Sequence, residues 1–401
     1  MEGKLPVTAL LSGSLFFTGI TWASTLPYAG IVAVDVLGID TGSYALLMTI
    51  SSLVGALASV GLGYFSDKVR DRRLLVIGCA LLGALGFGLI YALRSPFAYA
   101  LAYCVMMPLG FALFSQTFSY ARTFYNLNRP ERAEFMNSVL RSIFTIAWVI
   151  VPPLAGWLAA AFTPFDVYGV SAVAYFCCAL IFGVMLSDPT TRIGADSRSR
   201  DGTLPPAAAN HIELPMLLGI GGVVLVKVAI ALHTTAAPLA ITNNLGGTLA
   251  DVGIYASLGA LLEVPCMLAW GLAAQRLPKW LIIVIATGIY AIYLFLLGQA
   301  GTVTELLWLQ VLKAISTAAL LSITISYMQD AIRGRVGLST SLLDVVGVGS
   351  NMAAAALFAV FATGGSYLLT FVVGGWLSVA SVAVVVFAHG VVGRRRLITA
   401  R

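Results

Sequence analysis

Long apolar runs alternate with short polar connections along the chain, and this alternation predicts membrane-spanning helices. A helix that crosses a bilayer needs roughly 20 mainly apolar residues. Twelve runs approach or exceed this length, at residues 6–34, 43–63, 74–93, 97–120, 135–161, 166–187, 214–240, 249–274, 280–298, 304–328, 337–361 and 366–390. The first run is about twice as long as the apolar core of a cleaved signal sequence, so we interpret it as a retained helix. The pattern therefore predicts an all-α membrane protein with twelve transmembrane helices.

The basic residues of the connections indicate how these helices are oriented. If the N-terminus is placed in the cytoplasm, 19 of the 23 Lys and Arg residues fall in cytoplasmic segments, and Arg94 falls on the opposite side. Such an excess is the positive-inside pattern of membrane proteins. The other three basic residues, Arg141, Lys227 and Lys313, lie inside apolar runs. We therefore expect both termini in the cytoplasm.

One long connection divides the twelve runs six and six. Residues 188–213 read DPTTRIGADSRSRDGTLPPAAANHIE, a composition rich in Ser, Asp, Arg, Gly and Pro that predicts a flexible linker. We therefore predict an N-terminal six-helix half at 1–187, a cytoplasmic linker at 188–213 and a C-terminal six-helix half at 214–401.

Similar segments recur in the same order in the two halves. Residues 138–141 of the fifth run, SVLR, align with residues 341–344 of the eleventh run, SLLD. The ends of the fourth and tenth runs also align, FSY at 118–120 with ISY at 325–327. Each match is weak alone, but their shared order predicts duplicated halves. Two six-helix halves related by an axis along the membrane normal are the arrangement of the major facilitator fold.

Composition and motifs exclude several other classes of protein. The 401 residues are 59% hydrophobic and 10% charged, whereas soluble globular chains average about 25% charged residues. The net charge of +6 does not indicate nucleic-acid binding, because the basic residues are spread among the connections. The five cysteines lie in apolar runs without a CxxC pair, so we expect buried thiols and no metal site. Because the sequence has no phosphate-binding loop, HExxH or GxSxG, we expect no cofactor.

The connection between the second and third runs resembles a transport motif. It reads GYFSDKVRDRRLL at residues 63–75 and is similar to the G-x-x-x-D-R/K-x-G-R-R/K signature of major facilitator transporters. It departs from that signature because Arg70 replaces the second glycine and Asp71 is one residue extra. Glycine allows close helix contact, and an aspartate at the positive end of a neighbouring helix can latch two halves together. We predict a gating latch that consists of Gly63, Asp67, Lys68, Arg72 and Arg73. The alternative is a basic loop that only sets orientation.

Three further segments resemble the sugar efflux transporter family within the major facilitator superfamily. They are SVLRSIFTIAWVIVPPLAG at 138–156, LLEVPCMLAWG at 261–271 and SYMQDAIRGRVGLSTSLL at 326–343. The resemblance implies proton-driven export of sugars or sugar-like compounds through a bacterial inner membrane. The partners we expect are therefore a sugar-like cargo, protons and the lipid bilayer, without nucleic acid, and we expect a monomer.

Five ionisable residues lie within the apolar runs: Arg141, Lys227, Glu263, Lys313 and Asp344. Unpaired charges are costly inside a membrane, so we expect pairs or water. We favour an Arg141–Glu263 pair, with Lys227 or Lys313 as competing partners. The pKa of a carboxylate beside cations changes with partner distance and hydration, so we predict that Glu263 and Asp344 couple transport to protons. The alternative is that these charges form fixed structural pairs.

A sugar site needs hydrogen-bonding groups and flat apolar faces. The cavity residues predicted on this basis, together with the interior cations, are Trp22, Tyr28, Gln116, Asn137, Arg141, Trp148, Lys227, His233, Gln310, Lys313 and Asn351. Aromatic side chains in membrane helices more often pack or lie at the interface, so packing is the alternative for each of them.

These features predict a secondary active transporter with a cargo site near the bilayer midplane between the halves and with alternating access. The nearest alternative is a different cargo, such as a drug or an amino acid, although five interior charges favour a polar cargo. A membrane-embedded enzyme or a transport-dead sensor is less consistent with the sequence, which shows no catalytic constellation or signalling domain.

Overall fold

A computed structural model describes residues 6–193, 214–331 and 336–392. Within these ranges it describes all side chains except those of residues 66, 67, 134, 329, 331, 336–344 and 391–392. The regular elements of the described ranges are all helical, and no strand occurs there. The prediction of an all-α chain is confirmed.

Six helices make up the first part of the chain. They are Val7–Val36 (α1), Thr41–Lys68 (α2), Arg72–Leu93 (α3), Pro96–Asn128 (α4), Ala133–Ala161 (α5) and Pro164–Leu186 (α6). Helix α1 is irregular, with a 3-10 turn at Leu26–Tyr28 and a π turn at Val32–Val36. Pro27 lies in the 3-10 turn and has no backbone N–H to donate, so it interrupts the regular hydrogen bonds of the helix.

Six more helices follow in the second part. They are Leu214–Asn243 (α7), Leu249–Ala273 (α8), Lys279–Leu297 (α9), Val303–Ala331 (α10), Val336–Phe361 (α11) and Leu368–Val386 (α12). A π turn at Phe387–Val392 continues α12. Among the described residues, eleven segments are long and apolar enough to cross a bilayer, and Val345–Phe361 of α11 is a shorter apolar segment. The helices coincide with the twelve apolar runs, so the predicted helical order is confirmed.

Polar caps fix the start of several helices. Before α6, Thr163 N donates to Asp166 Oδ2 at 2.8 Å, as part of a reciprocal capping box. Before α8, Thr248 N donates to Asp251 Oδ2 at 2.7 Å, and Asp251 N donates to Thr248 Oγ1 at 3.3 Å. A capping box satisfies backbone donors that the first turn of a helix leaves unpaired. These two aspartates therefore have local structural roles.

The chain divides into two compact units. Unit 1 comprises Met1–Asp40 and Leu47–Thr203, and unit 2 comprises Thr41–Leu46 and Leu204–Arg401. Most of the predicted linker, 188–213, lies outside the described residues, so the predicted boundaries of the two halves stay a prediction.

Glycines allow the helices within each unit to approach closely. In unit 1, a Cβ on Gly110 of α4 would lie 2.7 Å from the Cα of Gly83 on α3. In unit 2, a Cβ on Gly222 of α7 would lie 2.4 Å from a methyl carbon of Val385 on α12. Small residues at such positions let membrane helices pack backbone against backbone.

Large apolar side chains lie on the outer surfaces of the helices. Several are more than 60% exposed, including Leu57, Leu85, Leu268 and Trp308. Apolar surface of this extent is unusual on a soluble monomer and marks a surface that another apolar phase covers. Together with the spanning helices, it establishes a multi-pass membrane protein.

Candidate functional site

Helices α8 and α10 of unit 2 bring the mid-helix carboxylate Glu263 beside Thr317. The Thr317 hydroxyl donates to Glu263 Oε1 at 2.7 Å and lies equally close to the carbonyl oxygen of Lys313, at 2.7 Å. Because a hydroxyl carries one proton, it serves one of these acceptors at a time. Glu263 is half-buried and forms no salt bridge with any residue whose side chain the structure describes.

Two stripes of side chains face each other across α8 and α10. Residues three or four apart lie on one face of a helix, and this spacing defines the stripes Tyr255, Gly259 and Glu263 on α8, and Gln310, Lys313 and Thr317 on α10. A Cβ on Gly259 would lie 2.6 Å from Lys313 Nζ and 2.9 Å from Gln310 Oε1. The missing side chain of Gly259 therefore makes room for two polar head groups.

The α10 stripe contains two of the predicted cavity residues. Lys313 Nζ lies 5.1 Å from the centroid of the Tyr255 ring, within the range of a cation–π interaction. Gln310 is fully buried, and neither its Oε1 nor its Nε2 has a hydrogen-bond partner among the described residues. Both residues therefore belong to the same polar cluster as Glu263.

His233 of α7 is the centre of a buried tyrosine network. Its Nε2 lies 2.7 Å from Tyr255 OH and 2.9 Å from Tyr293 OH, and its Nδ1 lies 3.1 Å from Tyr290 OH. The hydroxyls of Tyr255 and Tyr293 are 3.1 Å apart. With 2% of its surface exposed, His233 is linked to the polar stripes through Tyr255.

The other predicted residues of unit 2 lie apart from this cluster. Lys227 of α7 is half-buried, and Asn351 of α11 is exposed. No hydrogen bond or ion pair joins either of them to the α8 and α10 stripes within the described part of the chain. The side chain of Asp344 lies outside the described residues, so its coupling role stays a prediction.

Unit 1 contains an aromatic cluster around Trp22 of α1. The Trp22 indole nitrogen donates to Tyr175 OH at 3.2 Å. Its ring centroid lies 5.2 Å from Phe111, 5.3 Å from Phe114 and 5.7 Å from Phe144. This set offers flat apolar faces, one of the two features expected of a sugar site.

The remaining predicted residues of unit 1 have different surroundings. Tyr28 and Gln116 are buried, and the Asn137 Oδ1 atom is buried without a hydrogen-bond partner among the described residues. Trp148 packs against a small apolar core shared by α1 and α5. Arg141 is exposed on α5. Its predicted pairing with Glu263 stays a prediction, because the two residues belong to different units.

Arg73 of the predicted latch fastens the start of α3 to the end of α6. Its Nη1 atom donates to the carbonyl oxygens of Met185 at 2.5 Å and Asp188 at 2.9 Å, and to Thr191 Oγ1 at 2.7 Å. Its Nη2 atom pairs with Asp71 Oδ2 at 2.6 Å. These contacts lie within unit 1 and hold the segment that leads into the linker.

Arg72 also joins the start of α3 to the segment at and after the end of α6, and we call this contact region the corner of unit 1. Its backbone N–H donates to the Ile193 carbonyl at 3.0 Å, and its Nη1 atom lies 3.5 Å from the hydroxyls of Ser119 and Thr123. The hydroxyl of Tyr120 donates to the Thr191 carbonyl. Arg72 and Arg73 thus have local partners that a latch hypothesis did not anticipate.

The other latch residues are less defined by contacts. Gly63 is exposed, with open space where a Cβ would stand. The ammonium of Lys68 lies 3.9 Å from the centroid of the Tyr64 ring. The Asp67 side chain lies outside the described residues. A latch between the halves therefore stays a prediction.

Asp71, the extra residue of the motif, is the N-cap of α3. Its Oδ1 accepts from the backbone N–H of Arg73 at 3.0 Å. Burial raises the pKa of the Asp71 carboxyl, but the hydrogen bonds and charge of Arg73 outweigh burial, so the net pKa lies below its ordinary value. The aspartate that breaks the motif is therefore part of the ion pair that stabilises this corner.

Unit 2 has a corner at the corresponding place in the internal repeat. Lys279 at the start of α9 pairs with Asp330 near the end of α10 at 2.7 Å. Tyr327 OH lies 2.7 Å from His389 Nε2 in the π turn after α12. Tyr327 aligns with Tyr120, so an equivalent tyrosine hydroxyl forms a hydrogen bond in both units. Its partner is the Thr191 carbonyl in unit 1 and His389 in unit 2.

A separate cleft of about 670 Å³ lies in unit 1. Its lining comprises Phe17, Ile20, Tyr91, Leu158, Phe162, Asp166, Gly169, Val170, Ala172, Val173 and Ala174. These residues are almost all apolar and include none of the predicted cavity residues. The cleft therefore lacks the convergent polar groups of a sugar site.

Sequence reasoning missed several residues that the structure places beside Glu263. Tyr255, Gly259 and Thr317 were not predicted, and neither was the role of Asp71. A signal for the first two was present, because they precede Glu263 by eight and four residues on α8. The same spacing places Thr317 four residues after Lys313 on α10, but it does not identify Thr317 as the partner of the carboxylate.

The helix order and the polar stripes inside an apolar bundle define a polytopic membrane transporter of the major facilitator type. The sequence profile of the Major Facilitator Superfamily matches residues 11–225, more than half of the chain. The solved structure of the nucleoside transporter NupG superposes with a TM-score of 0.77 at 13% identity, covering 96% of this chain and 99% of that one, a likeness that shows the fold alone.

Curated relatives narrow the family. Sugar efflux transporter B of Salmonella typhimurium is 32% identical over 329 residues, which cover 82% of this chain and 81% of that protein. Sugar efflux transporter A of Dickeya chrysanthemi is 31% identical over 333 residues, with 82% and 81% coverage. The chain belongs to the sugar efflux transporter family of the major facilitator superfamily, whose members are transporters and not enzymes.

Proposed function

We propose that the protein exports sugars or sugar-like compounds from a bacterial cytoplasm by proton antiport with alternating access. The names of its relatives support a sugar cargo. The observation that carries the coupling is the half-buried Glu263, which accepts a hydrogen bond from Thr317 and has no cation within salt-bridge distance among the described residues. We therefore propose Glu263 as the residue that carries the coupled proton.

In the same proposal, the hydrogen bond of Thr317 changes its acceptor when Glu263 is protonated. When Glu263 is ionised, its carboxylate accepts a hydrogen bond from the Thr317 hydroxyl. When it is protonated, it no longer needs that donor, and the Thr317 hydroxyl can bond to its other acceptor, the Lys313 carbonyl at 2.7 Å. Protonation of Glu263 would thereby change the hydrogen bond that the Thr317 hydroxyl donates to the backbone carbonyl of Lys313 on α10.

The membrane assignment and orientation belong to the same proposal. The excess of basic residues on one side supports an inner-membrane protein with both termini in the cytoplasm. In unit 2, the polar stripes of α8 and α10 would bind the hydroxyls of the cargo. The predicted latch of Gly63, Asp67, Lys68, Arg72 and Arg73 would act on the cytoplasmic side.

Uptake into inverted membrane vesicles tests the export proposal. An imposed pH gradient, acidic inside the vesicle, should drive accumulation of at least one labelled sugar from a panel, because the proton leaves as the sugar enters. Vesicles without the protein provide the baseline. If no sugar accumulates under the gradient but a labelled drug or amino acid does, the cargo assignment is wrong and the alternative cargo stands.

The variant Glu263→Gln tests the coupling residue. It keeps the shape of the side chain and removes the titratable group, so gradient-driven transport should be lost while exchange between two sugar pools continues. Glu305→Gln, an exposed carboxylate near the start of α10, is the matched control and should transport normally. Gradient-driven transport by Glu263→Gln at the wild-type rate would exclude Glu263 as the coupling carboxylate.

A further inference from the structure

Gly259 creates a small recess between α8 and α10. We call the space beside it, which holds the head groups of Gln310 and Lys313, the Gly259 recess. An added Cβ would come within 2.6 Å of the lysine ammonium and 2.9 Å of the glutamine carbonyl oxygen. Both polar groups therefore point at one spot on α8, and any larger residue there would displace them.

The amide of Gln310 has no hydrogen-bond partner among the residues that the structure describes. Gln310 is 0% exposed, and its Oε1 and Nε2 make no hydrogen bond with a described residue. Buried polar side chains are nearly always hydrogen-bonded, because an unsatisfied group has lost its water without compensation. Within the described residues, an acceptor and a donor in this recess thus lack the hydrogen-bond partners that a ligand hydroxyl would supply.

The lysine beside the amide adds a second donor. Lys313 is half-buried, with the ring of Tyr255 beside its ammonium and no salt bridge to a described residue. An ammonium has three N–H donors and an amide has two donors and one acceptor. A complementary ligand must offer two neighbouring acceptors, at least one of which also donates.

We propose that the Gly259 recess is a specificity-determining subsite that binds two adjacent hydroxyls of the sugar. One hydroxyl oxygen accepts from Lys313 Nζ, and its neighbour accepts from Gln310 Nε2 and donates to Gln310 Oε1. Adjacent hydroxyls that each accept and donate are the common feature of sugars, and the common amino acids lack them. This inference rests on the proposed function and assigns part of the cargo to named atoms.

The subsite also gives Gly259 a role that backbone conformation does not explain. Gly259 lies inside the regular helix α8, where alanine is the better helix former. Its value is the space that it leaves. We expect Gly259→Ala to keep the protein folded and to lower sugar affinity about tenfold or more, because a hydrogen-bonding site loses affinity steeply when its partners are displaced.

Equilibrium binding to the purified full chain in nanodiscs tests the subsite. The probes are glucose and galactose and their four monodeoxy analogues at positions 2, 3, 4 and 6. Wild-type protein should bind at least one parent sugar and lose about tenfold in affinity for analogues that lack either of two adjacent hydroxyls. Gln310→Leu should bind the parent sugar more weakly and should no longer distinguish it from one of those analogues.

Matched controls separate the recess from general damage. Gly271→Ala lies on the same helix, where an added Cβ meets nothing within 4 Å, so it should bind like wild type. Thermal unfolding of each variant shows whether it is folded, and Gln310→Glu, which keeps the acceptor, gives a second variant if Gln310→Leu fails to fold.

The outcomes distinguish this inference from the proposed function. Loss of deoxy discrimination in the Gln310 variants supports the subsite. Unchanged discrimination in those variants, or normal binding by Gly259→Ala, overturns it, because the amide is then satisfied by water alone. In that case vesicle transport of the parent sugar would leave the proposed function intact. If wild type binds none of these sugars and accumulates no sugar of the vesicle panel, both proposals fail.

Discussion

In unit 1, the buried guanidinium of Arg73 donates to three oxygens at the end of α6 and pairs with Asp71 at 2.6 Å. In unit 2, the ammonium of Lys313 has the ring of Tyr255 beside it and forms no salt bridge with a described residue. Both cations lie in helical segments of an apolar bundle. Arg73 has a full set of hydrogen-bond and ionic partners at the start of a helix. The ammonium of Lys313, in the middle of a helix, has unpaired donors among the described residues.

This difference in partners distinguishes a structural cation from a cation that we propose takes part in transport. A buried charge with a full set of partners is costly to disturb, so Arg73 serves as a structural tie. A charge with spare donors is available to a ligand or to a changing carboxylate, which is what a transport cycle requires. The difference therefore predicts opposite phenotypes for charge removal at the two positions.

The largest effect on stability should follow Arg73→Met. The substitution leaves the Asp71 carboxylate, whose side chain is 14% exposed, without its cation and leaves the carbonyls at the end of α6 without donors. Breaking such a pair costs about 3–5 kcal/mol. Denaturant titration in detergent micelles measures the free energy of unfolding, and Arg70→Met, at an exposed position, should change it by less than about 0.5 kcal/mol.

Lys313→Met completes that test. Because Lys313 has no salt bridge among the described residues, its replacement should change the unfolding free energy by no more than about 1 kcal/mol, the scale of a lost cation–π contact, while sugar transport is abolished. A loss of stability as large as that of Arg73→Met would show that Lys313 is a structural charge, and the proposed difference in role between Arg73 and Lys313 would then be wrong.

How far the sequence predicted this arrangement depends on whether the signal was local. The twelve helices were predictable, because a membrane span is a property of one continuous stretch. Glu263, Gln310 and Lys313 were identifiable because polar residues in an apolar run are conspicuous. Their meeting was not predictable, since it depends on the packing of α8 against α10, and no single stretch of sequence encodes the contact between two helices.

The latch motif shows a second limit. The sequence similarity directed attention to a contact between halves, whereas the structure gives Arg72 and Arg73 partners inside unit 1. The local partners are backbone carbonyls of Met185 and Asp188, and a carbonyl is present at every residue regardless of sequence. Side-chain motifs therefore locate the donor, and only the fold identifies the acceptor.

A smaller effect is expected at the aromatic cluster of unit 1. Trp22→Phe keeps a flat ring but removes the indole donor to Tyr175 OH, which should cost about 1 kcal/mol in unfolding free energy. We expect a higher KM for sugar and an unchanged dependence of transport on the pH gradient, because Tyr175 is the only titratable group among the described ring and hydrogen-bond partners of Trp22. Altered proton coupling in this variant would contradict the assignment of coupling to unit 2.

The smallest effect concerns the pH dependence of the Asp71–Arg73 pair, because Arg73 keeps its three other acceptors when Asp71 is neutralised. The pKa of folded Asp71 is lowered below its ordinary value of 3.8, so the ionised form stabilises the fold above that value, and this stabilisation is lost as the pH falls through the lower folded pKa. Asp71→Asn retains a good helix N-cap while removing the charge. The unfolding free energy of wild type should therefore exceed that of the variant at pH 7, and the gap should close below about pH 4. A gap that stays constant down to pH 3 would mean that capping geometry, and not charge, is what Asp71 contributes.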